Sequence, residues 1–221
     1  MKNNYDRIAF GYDFLSRLIF GKAQQNAQTA LLPYIRNGDR ILIAGGGTGW
    51  ILEEINKIHP SGLYIVYVEQ SDKMLSRSKK RNCGLNKVIF IRKEVEHVHL
   101  ENDFDVIITG FFFDNFNQSK VEFIFNHLSS RLKYGGRWFF TDFKLNPGKS
   151  HLWQRVMLKI MYFFFRVVCK IEASHLTDML PLFRKADYSP VFTLSVYGNF
   201  IHSILYEKKE IYETPEQNLL R

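Results

Sequence analysis

The sequence predicts an α/β fold: a doubly wound, mostly parallel sheet with helices on both faces and an antiparallel hairpin at its end. Three observations predict it. Short apolar runs alternate with amphipathic stretches along most of the chain, the pattern of strands and helices taken in turn. Such alternation implies parallel strands joined by crossover helices. The last two runs, residues 191–196 and 201–207, are separated only by a short stretch around Tyr197, Gly198 and Asn199. A parallel crossover needs a dozen residues or more, so these two strands pair antiparallel.

Each element follows from local pattern. Ile8, Tyr12 and Leu15 share a helical face, so residues 5–20 read as a helix and 23–32 as a second. Asn37, Gly38 and Asp39 make a turn into a short buried strand, 40–44, that runs into glycines. Residues 50–58 read as a helix, 63–69 as a strand, and 72–82 as a helix with Ser71 at its N-cap. Strands follow at 88–92 and 104–109, then a helix at 120–132. Tyr134, Gly135 and Gly136 read as a turn into the fifth strand, 137–143. After a phenylalanine-rich segment, 174–184 reads as a helix before the terminal hairpin. No repeat or linker divides the chain. It reads as one domain over 1–221, with a helical cap at 1–35 and a helical insertion at 146–172 placed to act as a substrate lid.

Composition narrows the class. The chain has 221 residues, 46% of them hydrophobic, which excludes a disordered or low-complexity protein. Two cysteines, Cys83 and Cys169, exclude a disulfide framework and a cysteine-rich zinc site. The formal net charge of +8 leaves nucleic acid or an anionic membrane open as partners. The N-terminus lacks the apolar core of a signal peptide, so a reduced cytoplasmic compartment is expected. The most apolar stretch, residues 156–169, is too short and too charged to cross a bilayer.

The most informative stretch is Ile41-Leu42-Ile43-Ala44-Gly45-Gly46-Gly47-Thr48-Gly49-Trp50, a strand that runs into glycines and opens a helix. On its own such a cluster is as readily a tight turn as a ligand loop. The next strand, however, ends at Glu69, 20 residues after Gly49. An acid there accepts hydrogen bonds from ribose hydroxyls. The third glycine of a dinucleotide fingerprint is missing, since that position is Trp50 or Leu52, and no Gly-Lys-Ser/Thr of a P-loop follows. A nucleoside without a phosphate tail remains, which fits S-adenosylmethionine.

At this point the chain resembles the class I S-adenosylmethionine-dependent methyltransferases, in the small-molecule group that includes quinone-biosynthesis enzymes. Five segments are similar in order: Tyr5-Asp6-Arg7-Ile8-Ala9 with Tyr12-Asp13; Gly45 to Gly49; Glu69-Gln70-Ser71-Asp72-Lys73-Met74; Phe104-Asp105-Val106-Ile107; and Leu132-Lys133-Tyr134-Gly135-Gly136-Arg137. The resemblance implies a Rossmann-like, seven-stranded sheet and S-adenosyl-L-methionine as cofactor. It further implies that Gly45, Gly46, Gly47, Thr48 and Gly49 make room for the methionine and ribose portion and that Glu69 holds the ribose. Gln70 and Met74 would lie beside the adenine, with Glu94 and the Val95 backbone at its amino group. Thr109 and Gly110 would lie under the methyl donor. Tyr5 and Tyr12 would close over the cofactor, or else pack the core face of their own helix. One position departs from the family pattern: its usual acid two residues before the first glycine is Ile43 here.

Methyl transfer from a sulfonium asks the protein mainly to align two reactants and exclude water, and it needs no metal. His97 and His99 lack a third ligand at matching spacing, so no metal site is expected. Asp114 and Asp142 follow strands four and five, where ligands of such sheets collect; each could orient an acceptor, take a proton, or cap a helix. The general base is left unassigned. Twelve of the 20 phenylalanines fall between Phe111 and Phe165. Phe111 and Phe113 border the expected acceptor position, so a small, apolar or aromatic acceptor is expected. The segment 152–168 suits a lid over a lipophilic substrate, a contact with a membrane surface, an ordinary packed helix, or a dimer contact. The chain would act as a monomer or homodimer. Two other readings stand beside this one. A nucleic-acid (RNA) methyltransferase is encouraged by the charge, but no Asn/Asp-Pro-Pro-aromatic motif follows strand four and no nucleic-acid module is appended. A non-catalytic S-adenosylmethionine-binding protein of the same fold rests on Ile43 alone.

Overall fold

The computed structural model describes residues 19–100, 103–145, 152–169, 173 and 175–209. Helix α1 spans Ala23–Thr29 and strand β1 spans Arg40–Ala44. Helix α2 (Trp50–Ile58), strand β2 (Ser61–Val68), helix α3 (Asp72–Ser78) and strand β3 (Leu85–Ile91) follow. Then come β4 (Phe104–Gly110), α4 (Gln118–Ser129), β5 (Leu132–Phe143) and α5 (Leu152–Cys169). Helix α6 (Leu180–Lys185) and strands β6 (Tyr188–Val196) and β7 (Ile201–Lys208) end the described chain. The seven strands lie in the order β3-β2-β1-β4-β5-β7-β6. The first five are parallel, and β7 pairs antiparallel with both β5 and β6, as the short terminal connection requires.

Strand alternation distributes the core to two faces. Leu42, Ala44, Ile107, Trp138 and Phe140 point to the side covered by α4 and α6. Ile41, Ile43, Ile65, Tyr67, Val106 and Ile108 point to the side covered by α2, with Leu31 and Leu32 beside them. Trp138 anchors the first layer: its ring stacks on Phe125 at 5.1 Å, and its indole N–H donates to Thr109 Oγ1 at 2.9 Å. Each fully buried side chain of this kind contributes about 1.5–3 kcal/mol of transfer free energy. A buried pair ties the sheet's two halves: the Arg137 guanidinium donates to both Asp39 oxygens, at 2.9 and 3.1 Å. Asp39 closes the turn before β1, and its carboxylate also accepts from the Arg36 N–H.

Several element bounds differ from expectation, and four of them have a visible physical reason. The Gly135-Gly136 turn lies inside β5, which starts at Leu132. Phe104 pairs with Leu132 and Val106 with Arg137, so the glycines form a bulge rather than a break. Helix α3 ends at Ser78, four residues early, because single-turn bonds replace the helical ladder and Arg81 swings back to donate to the Thr48 carbonyl at 3.0 Å. Helix α6 is shorter than 174–184, starting beside Pro181, whose ring suits a first helical turn. Helix α1 stops at Thr29, and a 3-10 turn over Leu32–Tyr34, carrying Pro33, completes the expected second helix. Residues 1–18, which hold most of the expected first helix, 5–20, and about half of the 1–35 cap, lie outside the described residues. Among the described residues no helix is long and apolar enough to cross a membrane.

Candidate active site

The carboxyl ends of β1, β2 and β4 border one cleft, the crevice where ligands of open α/β sheets bind. Its floor is the loop after β1. Gly45 and Gly46 both donate their N–H to the Val68 carbonyl, at 2.9 and 3.3 Å, which folds the loop across the end of β2. A side chain on Gly46 would overlap the Tyr67 ring, and one on Gly45, at φ +67°, would overlap Phe112. Both positions therefore need glycine, on steric grounds and, at Gly45, on conformational ones. The Tyr67 hydroxyl donates to the Gly47 carbonyl at 3.0 Å and fixes the loop from behind.

Glu69 is nearly buried, and its carboxylate holds both sides of the cleft. One oxygen accepts the Gly47 N–H at 2.9 Å and the other the Ser71 N–H at 2.7 Å. A carboxylate offers about four acceptor positions, so these bonds orient Glu69 without exhausting it. Ser71 caps α3, accepting from the Met74 N–H at 3.2 Å, as its sequence position implies. Met74 is buried, and it lines the cleft together with Gln70.

Most of the residues expected at the cofactor come together. Gly45, Gly46, Gly47, Thr48, Glu69, Gln70, Met74, Glu94, Val95 and Gly110 line this one cleft. Gly49 and Thr109 do not. Gly49 adopts φ +80° as the N-cap of α2 and presses against Ser78, while Thr109 is buried and accepts the Trp138 indole N–H. Tyr5 and Tyr12 lie outside the described residues. The structure adds lining that sequence spacing did not single out: Gln24, Gln25 and Gln28 on α1, with Trp50 and Asn115. The glutamines carried a usable signal, since positions 24 and 28 share one face of a helix. Ile43, standing where the family has an acid, lines the cleft while packing into the α2-side core.

The acceptor side divides. Phe111 lines the cleft with Phe112 and Phe116. Phe111 is held at φ +51°, a conformation a phenylalanine adopts only under constraint from its surroundings. That constraint is visible: its N–H donates to the Thr141 carbonyl at 2.8 Å, and Asn115 Nδ2 donates to the carbonyls of Phe111 and Phe112. Phe113, expected at the acceptor, turns inward instead, packing on Trp138 and Phe140. Asp114 and Asp142 do not line the cleft either; they meet beside it, near Tyr162 of α5. Burial, and then the neighbouring Asp114 charge, raise the Asp142 carboxyl well above the usual carboxylate range. Burial pushes Asp114 up to about 7. Burial and the two carboxylates also raise the Tyr162 hydroxyl, whose oxygen is buried and has no hydrogen-bond partner among the described residues. Helix α5, for which a lid is one of the expected roles beside a membrane contact, a packed helix and a dimer contact, contributes no residue to the cleft lining; it packs with Phe143, Phe200 and Ile201 over the ends of β5 and β7.

Around Glu94, Glu96 and His97, potential ligand atoms lie within 4.8 Å of one another. The Lys120 ammonium lies 2.9 Å from Glu96 and 3.9 Å from Glu94. One lysine thus already offsets part of the charge of the two carboxylates.

Comparison with known proteins agrees with this geometry. Residues 41–136 match a family described as a methyltransferase domain. The malonyl-[acyl-carrier protein] O-methyltransferase of Bacillus anthracis is 27% identical over 132 residues, 58% of this chain and 48% of that protein. Its Bacillus cereus counterpart is 33% identical over 92 residues, 41% of this chain and 34% of that protein. The chain thus spans about half or less of the curated relatives it matches. Among solved structures, the N-methyltransferase NodS of Bradyrhizobium japonicum with S-adenosyl-L-homocysteine superposes with a TM-score of 0.64 at 10% identity, covering 86% of this chain and 88% of that one. Magnesium protoporphyrin IX methyltransferase of Synechocystis gives 0.62 at 14% identity, covering 84% and 83%. At these identities the likeness speaks to the fold.

Proposed function

We propose that this chain, whose residues 41–136 match a methyltransferase-domain family, is a class I S-adenosylmethionine-dependent methyltransferase that moves a methyl group to a small apolar or aromatic acceptor. The observation that carries the reading is the continuity of one cleft: the Gly45–Gly47 loop and Glu69 at one end, the Phe111, Phe112 and Phe116 rings at the other. S-adenosylmethionine is the methyl donor of such domains and supplies a methyl activated on a sulfonium. The chain's residues have three tasks around it. The Gly45–Gly47 backbone leaves room for the ribose and methionine portion, and Glu69, already oriented by two backbone N–H groups, accepts the ribose hydroxyls. Met74, Val95, Gln70 and Glu94 enclose the adenine. Gln24, Gln25 and Gln28 take the polar contacts that Ile43 cannot offer at the methionine end. The phenylalanine rings exclude water from the transfer and favour an apolar acceptor, with Asn115 holding their loop in place. The printed names of both curated relatives specify O-methyl transfer, so an oxygen acceptor is the first to assay.

The test is calorimetric titration with S-adenosylmethionine, followed by a screen of apolar and aromatic acceptors for product. Micromolar donor binding with methylation of an apolar acceptor is expected. No heat up to millimolar donor would sink the methyltransferase reading, and donor binding with only polar or nucleic-acid acceptors methylated would overturn the apolar-acceptor part.

A further inference from the structure

The outer face of α5 remains unexplained by a cleft it does not line. Leu152, Val156, Ile160, Phe163 and Val167 are all exposed, Phe163 by 73%, Leu152 and Val167 by 62% and Ile160 by 60%. At 3.6 residues per turn they gather, with Trp153, into a single arc of roughly 100°. Gln154, Leu158 and Met161 lie on the opposite side and are buried. Between the two faces, along one flank, stand Arg155, Lys159 and Arg166, all exposed. The helix contains no aspartate or glutamate.

This is a helix with three faces: one packed on the protein, one apolar and outward, one basic and adjacent to it. A helix serving only as a packed element needs the first face alone. Exposed aliphatic and aromatic side chains in a contiguous stripe mark a contact surface. The charge says which. A second copy of the same helix would bring like charges together, whereas an anionic lipid surface takes the apolar arc among its acyl chains and the guanidinium and ammonium groups among its headgroups. The length fits as well, since a helix of 18 residues can lie in the interface but was shown above not to span it. The Gln154 amide, donating to the Gly198 carbonyl at 2.8 Å, locks the helix onto the β6–β7 turn, so the apolar face is presented rigidly.

We propose that α5 docks the protein on an anionic phospholipid bilayer, lying in the interface with its Leu152–Val156–Ile160–Phe163–Val167 stripe inserted. This goes beyond the methyltransferase reading and does not depend on it.

The full chain should co-sediment with phosphatidylcholine vesicles containing about a third phosphatidylglycerol, and much less with pure phosphatidylcholine, at moderate ionic strength. The double variant I160E/F163E should lose at least tenfold in vesicle affinity, and R155E/K159E should abolish the preference for the anionic vesicles. All four side chains point outward, so melting temperature and donor affinity should stay at wild-type values, which separates this test from failure to fold and from failure of the donor site. Brominated acyl chains should quench a share of the tryptophan fluorescence that W153F removes. Absence of sedimentation with either vesicle would overturn the proposal. Equal binding to both compositions would overturn its electrostatic half. A vesicle-independent dimer that I160E/F163E converts to monomer would assign the face to a second copy instead.

Discussion

The halves of the cleft proposed here for donor and acceptor are shaped by different parts of the chain. On the donor side, backbone does the shaping: the Gly45–Gly47 loop folds onto Val68, and Glu69 braces it through Gly47 and Ser71. On the acceptor side, rings carried on the loop after β4 form the wall, with two carboxyls of raised proton affinity beside it. A site made of backbone keeps its shape when neighbouring side chains change, whereas a wall of loop-borne rings is redrawn by single replacements. The two halves should therefore fail independently. The sharpest way to break that contrast is Glu69→Gln. Losing a charge-assisted hydrogen bond costs about 1.5–3 kcal/mol, so donor affinity should fall about 10- to 100-fold in calorimetry. Phe116→Ala should leave donor affinity within about threefold while altering which acceptors turn over. Equal loss in both variants would show a single coupled site rather than two halves.

The same contrast explains what was legible in the sequence. The donor half rests on residues close together in the chain, whose types are forced: glycine where a Cβ would strike Tyr67 or Phe112, an acid at a strand tip, a serine cap before Met74. The antiparallel pairing of the last two strands follows from the length of their connection and was equally accessible, whereas the strand order was not. The acceptor half depends on contacts that spacing does not encode. Phe111, Phe112 and Phe113 are adjacent and alike in sequence, yet one is held at positive φ against the cleft and another is buried on Trp138. Which ring turns in is fixed by Asn115 and by the β5 partner, both invisible to local pattern. The 135–136 glycines misled for a related reason: a Gly-Gly pair marks a turn and a bulge alike, and only pairing with β4 separates them.

The carboxyl pair offers the next test, through pH. Asp114 and Asp142 hold protons in the folded protein at pH values where the unfolded chain has released them. The folded state then binds more protons than the unfolded one, so stability falls as pH rises from the ordinary carboxylate range through about 7. Melting temperature should drop by about 5 °C between pH 5 and pH 8, and Asp142→Asn should flatten most of that slope while leaving donor affinity at neutral pH within about twofold. A wild-type melting temperature that climbs over this interval would mean the two carboxyls are ionised and paired with a cation. A flat slope that comes with lost donor affinity would join them to the donor half.

The smallest effect tests the border between site and core. Thr109 lies at the end of β4, where the family resemblance places it under the methyl donor, yet its hydroxyl is buried and accepts the Trp138 indole N–H at 2.9 Å. Thr109→Val keeps the shape and removes the acceptor, leaving a buried indole N–H unpaired. That costs about 1–3 kcal/mol, or a few degrees of melting temperature for a chain this size. If Thr109 belongs to the core, donor affinity stays within about twofold, because Gly110 and the glycine loop still define the cleft. If it weakens more than about fivefold, the Trp138 layer supports the donor floor directly. The two halves would then share a foundation in β4, and the independence argued from their different construction would hold only for the rings.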